Sequence, residues 1–224
     1  MKKTTVFAFM ASMFSINVLA DAQNVAFSSL KQAQEEFKTN SNIIVRNCAY
    51  EFAKKCMNES KHSSAGTVVL FAVRQMADFL GRSHEFDAVC HDMLSSSNEN
   101  VRISAATSLC DKMKKLEFPE SDNKLRELML RFGDDKKLQS IALMKLSDAA
   151  ISAQKMCVAE KVADEILSFG TNAYPAANLS AGYIKMENAY SRRDYAGVEK
   201  IVFSIFRNRS DIPLGIGAKI SKMR

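Results

Sequence analysis

Two short stretches, Leu130-Arg131-Phe132-Gly133 and Leu167-Ser168-Phe169-Gly170, carry the same Leu-x-Phe-Gly ending 37 residues apart, and Phe206 follows Phe169 by the same distance. Self-similarity at a fixed period of this size is the mark of a stacked helical repeat. The segments ahead of the two endings agree with it: Val101, Ala105, Leu109 and Asp111 fall, at the same offset, on Leu138, Ala142, Leu146 and Asp148. Glycine at 133 and 170 suits a helix C-terminus that needs a left-handed residue. Asp134-Asp135 and Thr171-Asn172 follow as N-cap formers for the next helix.

Working outward from these marks, nearly every segment shows apolar residues at helical spacing, and no segment alternates as a strand would. Ten helices are predicted in five pairs: 26–39 with 42–59, 63–81 with 84–95, 99–116 with 121–132, 135–153 with 156–169, and 175–192 with 195–207. Asn98, and Ser121-Asp122 after Pro119, supply further N-cap residues. The second helices carry apolar faces: Leu125, Leu128, Met129, Phe132; Val158, Val162, Ile166, Phe169; and Tyr195, Val198, Val202, Ile205, Phe206. The expected fold is all-α, a right-handed α-solenoid of about five antiparallel helical hairpins with a period of about 37 residues.

The N-terminus reads as a secretory signal. Lys2 and Lys3 precede an apolar stretch from Val6 to Leu19, and Val18-Leu19-Ala20 places small or aliphatic residues at the cleavage site. Residues 1–20 are therefore expected to be removed, the remainder exported to a periplasm or beyond. Residue 21 is Asp and not Cys, which disfavours a lipid anchor. The longest later apolar run, Ala65 to Val73, is broken by Arg74 and is shorter than the ~20 residues a membrane span needs. Residues 21–211 form the repeat domain. Residues 212–224 form a basic amphipathic tail with Ile216, Ile220 and Met223 on one side, expected to cap the last hairpin because a terminal repeat exposes an apolar flank.

The chain has 31 basic and 25 acidic residues, a net charge of +6, with five of the basic residues between Arg207 and Arg224. The body is nearly neutral, without the basic stripe of a nucleic-acid binder. Cys48, Cys56, Cys90, Cys110 and Cys157 are odd in number, and several ride apolar stripes: Val45, Cys48, Ala49, Phe52, Cys56 on one helix, and Phe86, Val89, Cys90, Met93 on another. They are expected to be mostly buried thiols acting as small hydrophobes. Cys48 and Cys56 lie about 12 Å apart along a helix, too far for a disulfide.

Asn100-Val101-Arg102, followed by Ala105-Ala106 and Leu109, resembles the first helix of HEAT repeats. Arg193-Asp194-Tyr195 with Val198 resembles the inter-helix turn of tetratricopeptide repeats, whose usual Gly-Asp-Tyr here begins with Arg193. Both resemblances imply binding of a protein or peptide, not catalysis. Candidate groove residues on the first helices are Asp111 and Asp148, each about 200° round the helix from a core leucine, and Asn188 in a comparable place. No cofactor is expected. His84, Asp87 and His91 share a helix face, but a zinc site needs three or four ligands converging at ~2 Å. Glu59-Ser60 resembles the pair that opens the catalytic motif of lytic transglycosylases, although Lys61-His62-Ser63-Ser64 departs from it. A cell-wall enzyme using Glu59, or binding to anionic membranes through the tail, are the alternatives. The reading of the N-terminus makes one direct prediction: Edman or mass-spectrometric sequencing of the exported protein begins at Asp21.

Overall fold

The computed structural model describes residues 27–205. The expected signal segment, the tail 212–224 and Phe206 lie outside them. Ten α-helices follow one another: α1 Leu30–Thr39, α2 Ile43–Ser60, α3 Ala65–Leu80, α4 Ser83–Met93, α5 Glu99–Lys114, α6 Glu120–Arg131, α7 Lys136–Ser152, α8 Met156–Ser168, α9 Pro175–Ser191 and α10 Tyr195–Ile205. A 3-10 turn, Gly170–Asn172, precedes α9, and no strand occurs among the described residues. The chain divides into two compact units, one up to Ala105 and one from Ala106, the division falling within α5.

In the first unit α2 packs against α1 and α3, and α3 against α4. Its core holds Phe37, Tyr50, Ala53, Met57, Val69, Leu70, Val73, Met76, Phe86, Cys90 and Met93. Small residues set how closely these helices pack. A Cβ on Gly66 would lie 2.8 Å from the Ser60 carbonyl oxygen and 2.9 Å from a Val101 methyl, so only glycine fits where α3 begins. In the second unit α7 is the central element, packed against α6, α8 and α9, while α9 also meets α8 and α10. Ala142, Ala150, Ala163, Ala177 and Ala181 are buried among Leu125, Ile141, Leu143, Leu146, Val162 and Ile166. Each large aliphatic buried in this way contributes about 1.5–3 kcal/mol of transfer free energy.

The helix ends repeat. Gly81, Gln154 and Arg193 have φ of 69°, 58° and 60°. In each case the next residue donates its N–H five residues back, always to an alanine carbonyl: Arg82 to Ala77 at 2.8 Å, Lys155 to Ala150 at 2.7 Å, and Asp194 to Ala189 at 2.9 Å. This is one Schellman closure made three times, joining α3 to α4, α7 to α8 and α9 to α10. Four residues after each donor, Phe86, Ala159 and Val198 are buried. Arg193 thus takes the backbone conformation that the missing glycine of Gly-Asp-Tyr would have supplied.

The expected marks between pairs are largely in place. Gly133 and Gly170 have φ of 57° and 56°, and both carbonyls are capped by a side-chain amide from the helix that follows: Gln139 donates to the first, Asn178 to the second. Asp135 accepts from the Lys137 and Leu138 N–H groups, and Asn98 from those of Asn100 and Val101. Thr171-Asn172 instead form the 3-10 turn, and α9 opens on Pro175, whose fixed φ suits a first turn. Ser121 is not a cap but a buried residue inside the first turn of α6.

Burial departs from the expected stripes at a few places. Phe132 is 7% exposed, but Phe169 is only half-buried, its ring under the Lys136 ammonium. Tyr195 is exposed. On α2 the buried face is Ala49, Tyr50, Ala53 and Met57, about one position round from the expected stripe, and Cys48 and Cys56 are half-buried at its margin. Cys90 and Cys110 are buried, Cys157 is exposed, and none of the five forms a disulfide.

A non-glycine residue in the left-handed region costs roughly 1–2 kcal/mol, against about 0.5–1 kcal/mol of extra backbone entropy for glycine. Gln154→Gly and Arg193→Gly are each expected to raise the urea midpoint, by roughly 0.5–1 kcal/mol of stability. Gly81→Ala, whose added Cβ meets nothing within 4 Å, is expected to lower it.

Candidate functional site

The groove candidates Asp111 and Asp148 sit on α5 and α7, and the structure joins them through two lysines. Lys145 Nζ lies 2.8 Å from Asp111 Oδ1, and Lys114 Nζ lies 2.9 Å from Asp148 Oδ2. The pairing is reciprocal, since each helix offers one acid and one base at i and i+3. All four side chains are between 17% and 36% exposed. The two carboxylates thus hold neighbouring helices in register while one side of each pair faces solvent. Half-exposed pairs of this kind contribute about 0–1 kcal/mol each.

Asn188 does not share this arrangement. Ser152 Oγ donates to the Asp148 carbonyl at 2.9 Å and Ser191 Oγ to the Glu187 carbonyl at 2.8 Å, and Ala150 and Ala189 close equivalent turns. The residue of α9 that corresponds to Asp148 is therefore Glu187, one position before Asn188, which is half-buried. Sequence spacing missed this because α7 and α9 are offset by two residues more than α5 and α7. In the same register, Tyr183 of α9 takes the place of Met144 of α7. Leu179 and Tyr183, one turn apart, are 41% and 40% exposed.

The first unit holds a denser cluster that the sequence did not single out. Arg82, at the turn before α4, donates through Nε to Glu85 Oε1 at 2.5 Å and through Nη2 to Glu51 Oε1 at 2.6 Å. Lys54 reaches Glu85 at 3.0 Å and Glu51 at 3.1 Å. Beneath them is Tyr50, fully buried, with the Arg82 guanidinium 4.5 Å and the Lys54 ammonium 5.2 Å from its ring centre. Both cations near the ring share the same two glutamates, Glu51 and Glu85. Hydrogen bonds from Arg82 and then Lys54 hold the Glu85 carboxyl down at about 2, well below the usual carboxylate range. Burial raises the Tyr50 phenol, whose hydroxyl finds no hydrogen-bond partner. Just past the end of α2, Lys61 pairs with Asp92 at 2.7 Å, and the Lys61 carbonyl accepts from Ser96 Oγ at 2.5 Å.

The remaining chemical groups are dispersed. Glu59 is exposed near the end of α2, and His84 is exposed on α4. Among the described residues no three or more His, Cys, Asp or Glu side chains gather as a metal site, and no helix is long and apolar enough to cross a membrane. Burial pushes the Cys90 and Cys110 thiols up to about 12, so neither is a thiolate at neutral pH. No protein-family model, curated protein or solved structure matches the chain.

Because the Glu85 carboxyl titrates lower folded than unfolded, it stabilises the fold above pH ~4.5, and that contribution disappears as pH falls towards about 2. Glu85→Gln is expected to cost about 1 kcal/mol at pH 7. The gap between variant and parent closes in melts taken at successively lower pH.

Proposed function

We propose that the chain is an exported, non-catalytic helical-repeat module whose first helices bind a protein or peptide. The observation that carries this reading is the constant register of its interhelix bonds. In the first unit, α2 and α4 with their capping residues are joined by Arg82 to Glu51, Lys54 to Glu85 and Lys61 to Asp92, all 31 residues apart. In the second, Asp111 to Lys145 and Lys114 to Asp148 join α5 and α7, both 34 residues apart. The Tyr174 N–H reaches Ser140 Oγ, just before α9 and within α7, at 34 again.

A fixed offset along two helices is what alternate elements running the same way produce, and elements between them must then run back. On α8 and α9 the contacts do run oppositely: Asp164 meets Lys185, while the earlier Glu160 also reaches the later Arg192. Each unit is accordingly read as stacked antiparallel hairpins, the arrangement behind tetratricopeptide and HEAT repeats. Such stacking sets first helices side by side. In the second unit it would align Asp111, Asp148 and Glu187, with Lys114 and Lys145 between the first two, beside Met144, Leu179 and Tyr183. A strip of alternating charge edged by aromatic and aliphatic side chains suits a peptide with both charged and apolar residues. Export rests on Lys2, Lys3 and the apolar run ending at Ala20.

The reading is tested by placing a photo-crosslinking amino acid at Tyr183, or at Leu130 on α6, which is 83% exposed. Discrete adducts from the Tyr183 position in the native cell envelope, absent from the Leu130 position, are expected. Equal labelling at both, or none at Tyr183, would sink it.

A further inference from the structure

Helix α3 turns an apolar stripe outward. Val68, Phe71 and Phe79 are 66%, 60% and 59% exposed, and with the exposed Gln75 they lie within about 80° of arc at 100° per residue. The opposite face, Val69, Leu70, Val73, Met76 and Ala77, is buried in the first unit. The stripe is held rigid at its end. The Phe79 ring packs edge-on against Phe37 at 5.4 Å, and the Arg46 guanidinium lies 4.5 Å from its centre. Along the edge of the stripe, Arg74 and Asp78 are 36% and 59% exposed and 3.9 Å apart, a loose pair.

We propose that this face docks on a second copy of the chain across a two-fold axis at Gln75. The occupant follows from the order of the residues. Phe71, Gln75 and Phe79 stand at i, i+4 and i+8, so this ridge reads the same in both directions, with Val68 beyond it. A two-fold interface demands that kind of self-complementarity, because each patch meets its own copy. With the two α3 helices antiparallel, Phe71 meets the partner's Phe79, Phe79 meets the partner's Phe71, and the two Gln75 carboxamides face each other as donor and acceptor. The two-fold keeps lateral sides together, so the Arg74 edge meets the partner's Asp78 edge. Both loose intrahelical pairs are thereby exchanged for two intermolecular ones. An i±4 ridge packed on its own copy crosses at about −50°, the commonest helix-packing class.

Two phenylalanines and a valine exposed to this extent offer ~350 Å² of apolar surface per copy, so with the polar rim the interface falls at the small end, near ~1,200 Å² in total. The association is therefore weak and reversible. It stands independently of what the first helices of the second unit bind.

Sedimentation velocity of protein expressed from the whole chain tests it. A concentration-dependent monomer–dimer equilibrium is expected. Phe71→Glu abolishes it with an unchanged melting temperature, since that side chain is mostly in solvent; Phe79→Glu abolishes it too but lowers the melting temperature, because the ring also packs on Phe37 and under Arg46. Arg74→Asp weakens dimerisation about tenfold or more, and Arg74→Asp combined with Asp78→Arg restores it. A monomer at every concentration would mean that the stripe has another occupant and overturns the proposal. So would a dimer indifferent to Phe71→Glu, or one not restored by the double reversal.

Discussion

Everything in this fold depends on how sharply a helix can be ended. At Gly81, Gln154 and Arg193 the chain leaves a helix through one left-handed residue, and the next N–H returns to an alanine carbonyl five residues back. That closure satisfies carbonyls that would otherwise be orphaned at a helix C-terminus. It also leaves two or three residues of connection, so the following helix must pack on the one just completed. Fixed turn geometry, repeated, fixes the relation between successive helices. Two of the three positions carry side chains that resist that conformation, so the surrounding packing holds them there.

At each closure the accepting residue is an alanine, although Phe86 comes in beneath the first of the three turns. Ala77, Ala150 and Ala189 accept the returning bonds, and Ala159 and Val198 come in beneath the turns. Gly66 takes this further, with the Ser60 carbonyl where a Cβ would stand. The larger side chains, Tyr50, Met57, Leu143 and Ile166, then fill the space between elements. Of the buried serines, Ser96 and Ser140 are bonded, the latter to backbone on both sides, whereas the Ser121 and Ser147 hydroxyls, like that of Tyr50, find no partner.

The sequence was legible where local chemistry is decisive. Gly133, Gly170, Asp135 and Asn98 end and start helices through their own backbone freedom or side-chain oxygens, and those positions were read from residue type alone. Leu109 and Leu146 are buried at equivalent positions because an apolar period of 3.6 has one inward face. Tyr50 was not legible: its burial needs a guanidinium from Arg82, 32 residues on, to lie over the ring. Nor was the Gln154 turn, since glutamine carries no signal for positive φ, and only comparison with Gly81 and Arg193 in space reveals it. Asn188 was set one residue late for the same reason, because offsets of 37 and 39 look alike until the Ser152 and Ser191 hydroxyls mark corresponding turns.

Charge does a different task from the apolar core. The pairs between α5 and α7 and between α2 and α4 are partly wet, so each adds little to stability. Burial is non-directional and tolerates sliding, whereas an acid and a base three residues apart on each of two helices match at one offset only. A slip by one turn would set Lys145 against Lys114 and leave Asp111 and Asp148 without their partners. Register is thus enforced by the penalty for mismatched charge more than by the gain from matched charge. That penalty acts on α5 and α7, the helices that carry Asp111 and Asp148. It fixes Met144 on α7 relative to α5, whereas α9, with Leu179 and Tyr183, is tied by Lys185 and Arg192 to Glu160 of α8 and, just before its start, by the Tyr174 N–H to Ser140 of α7.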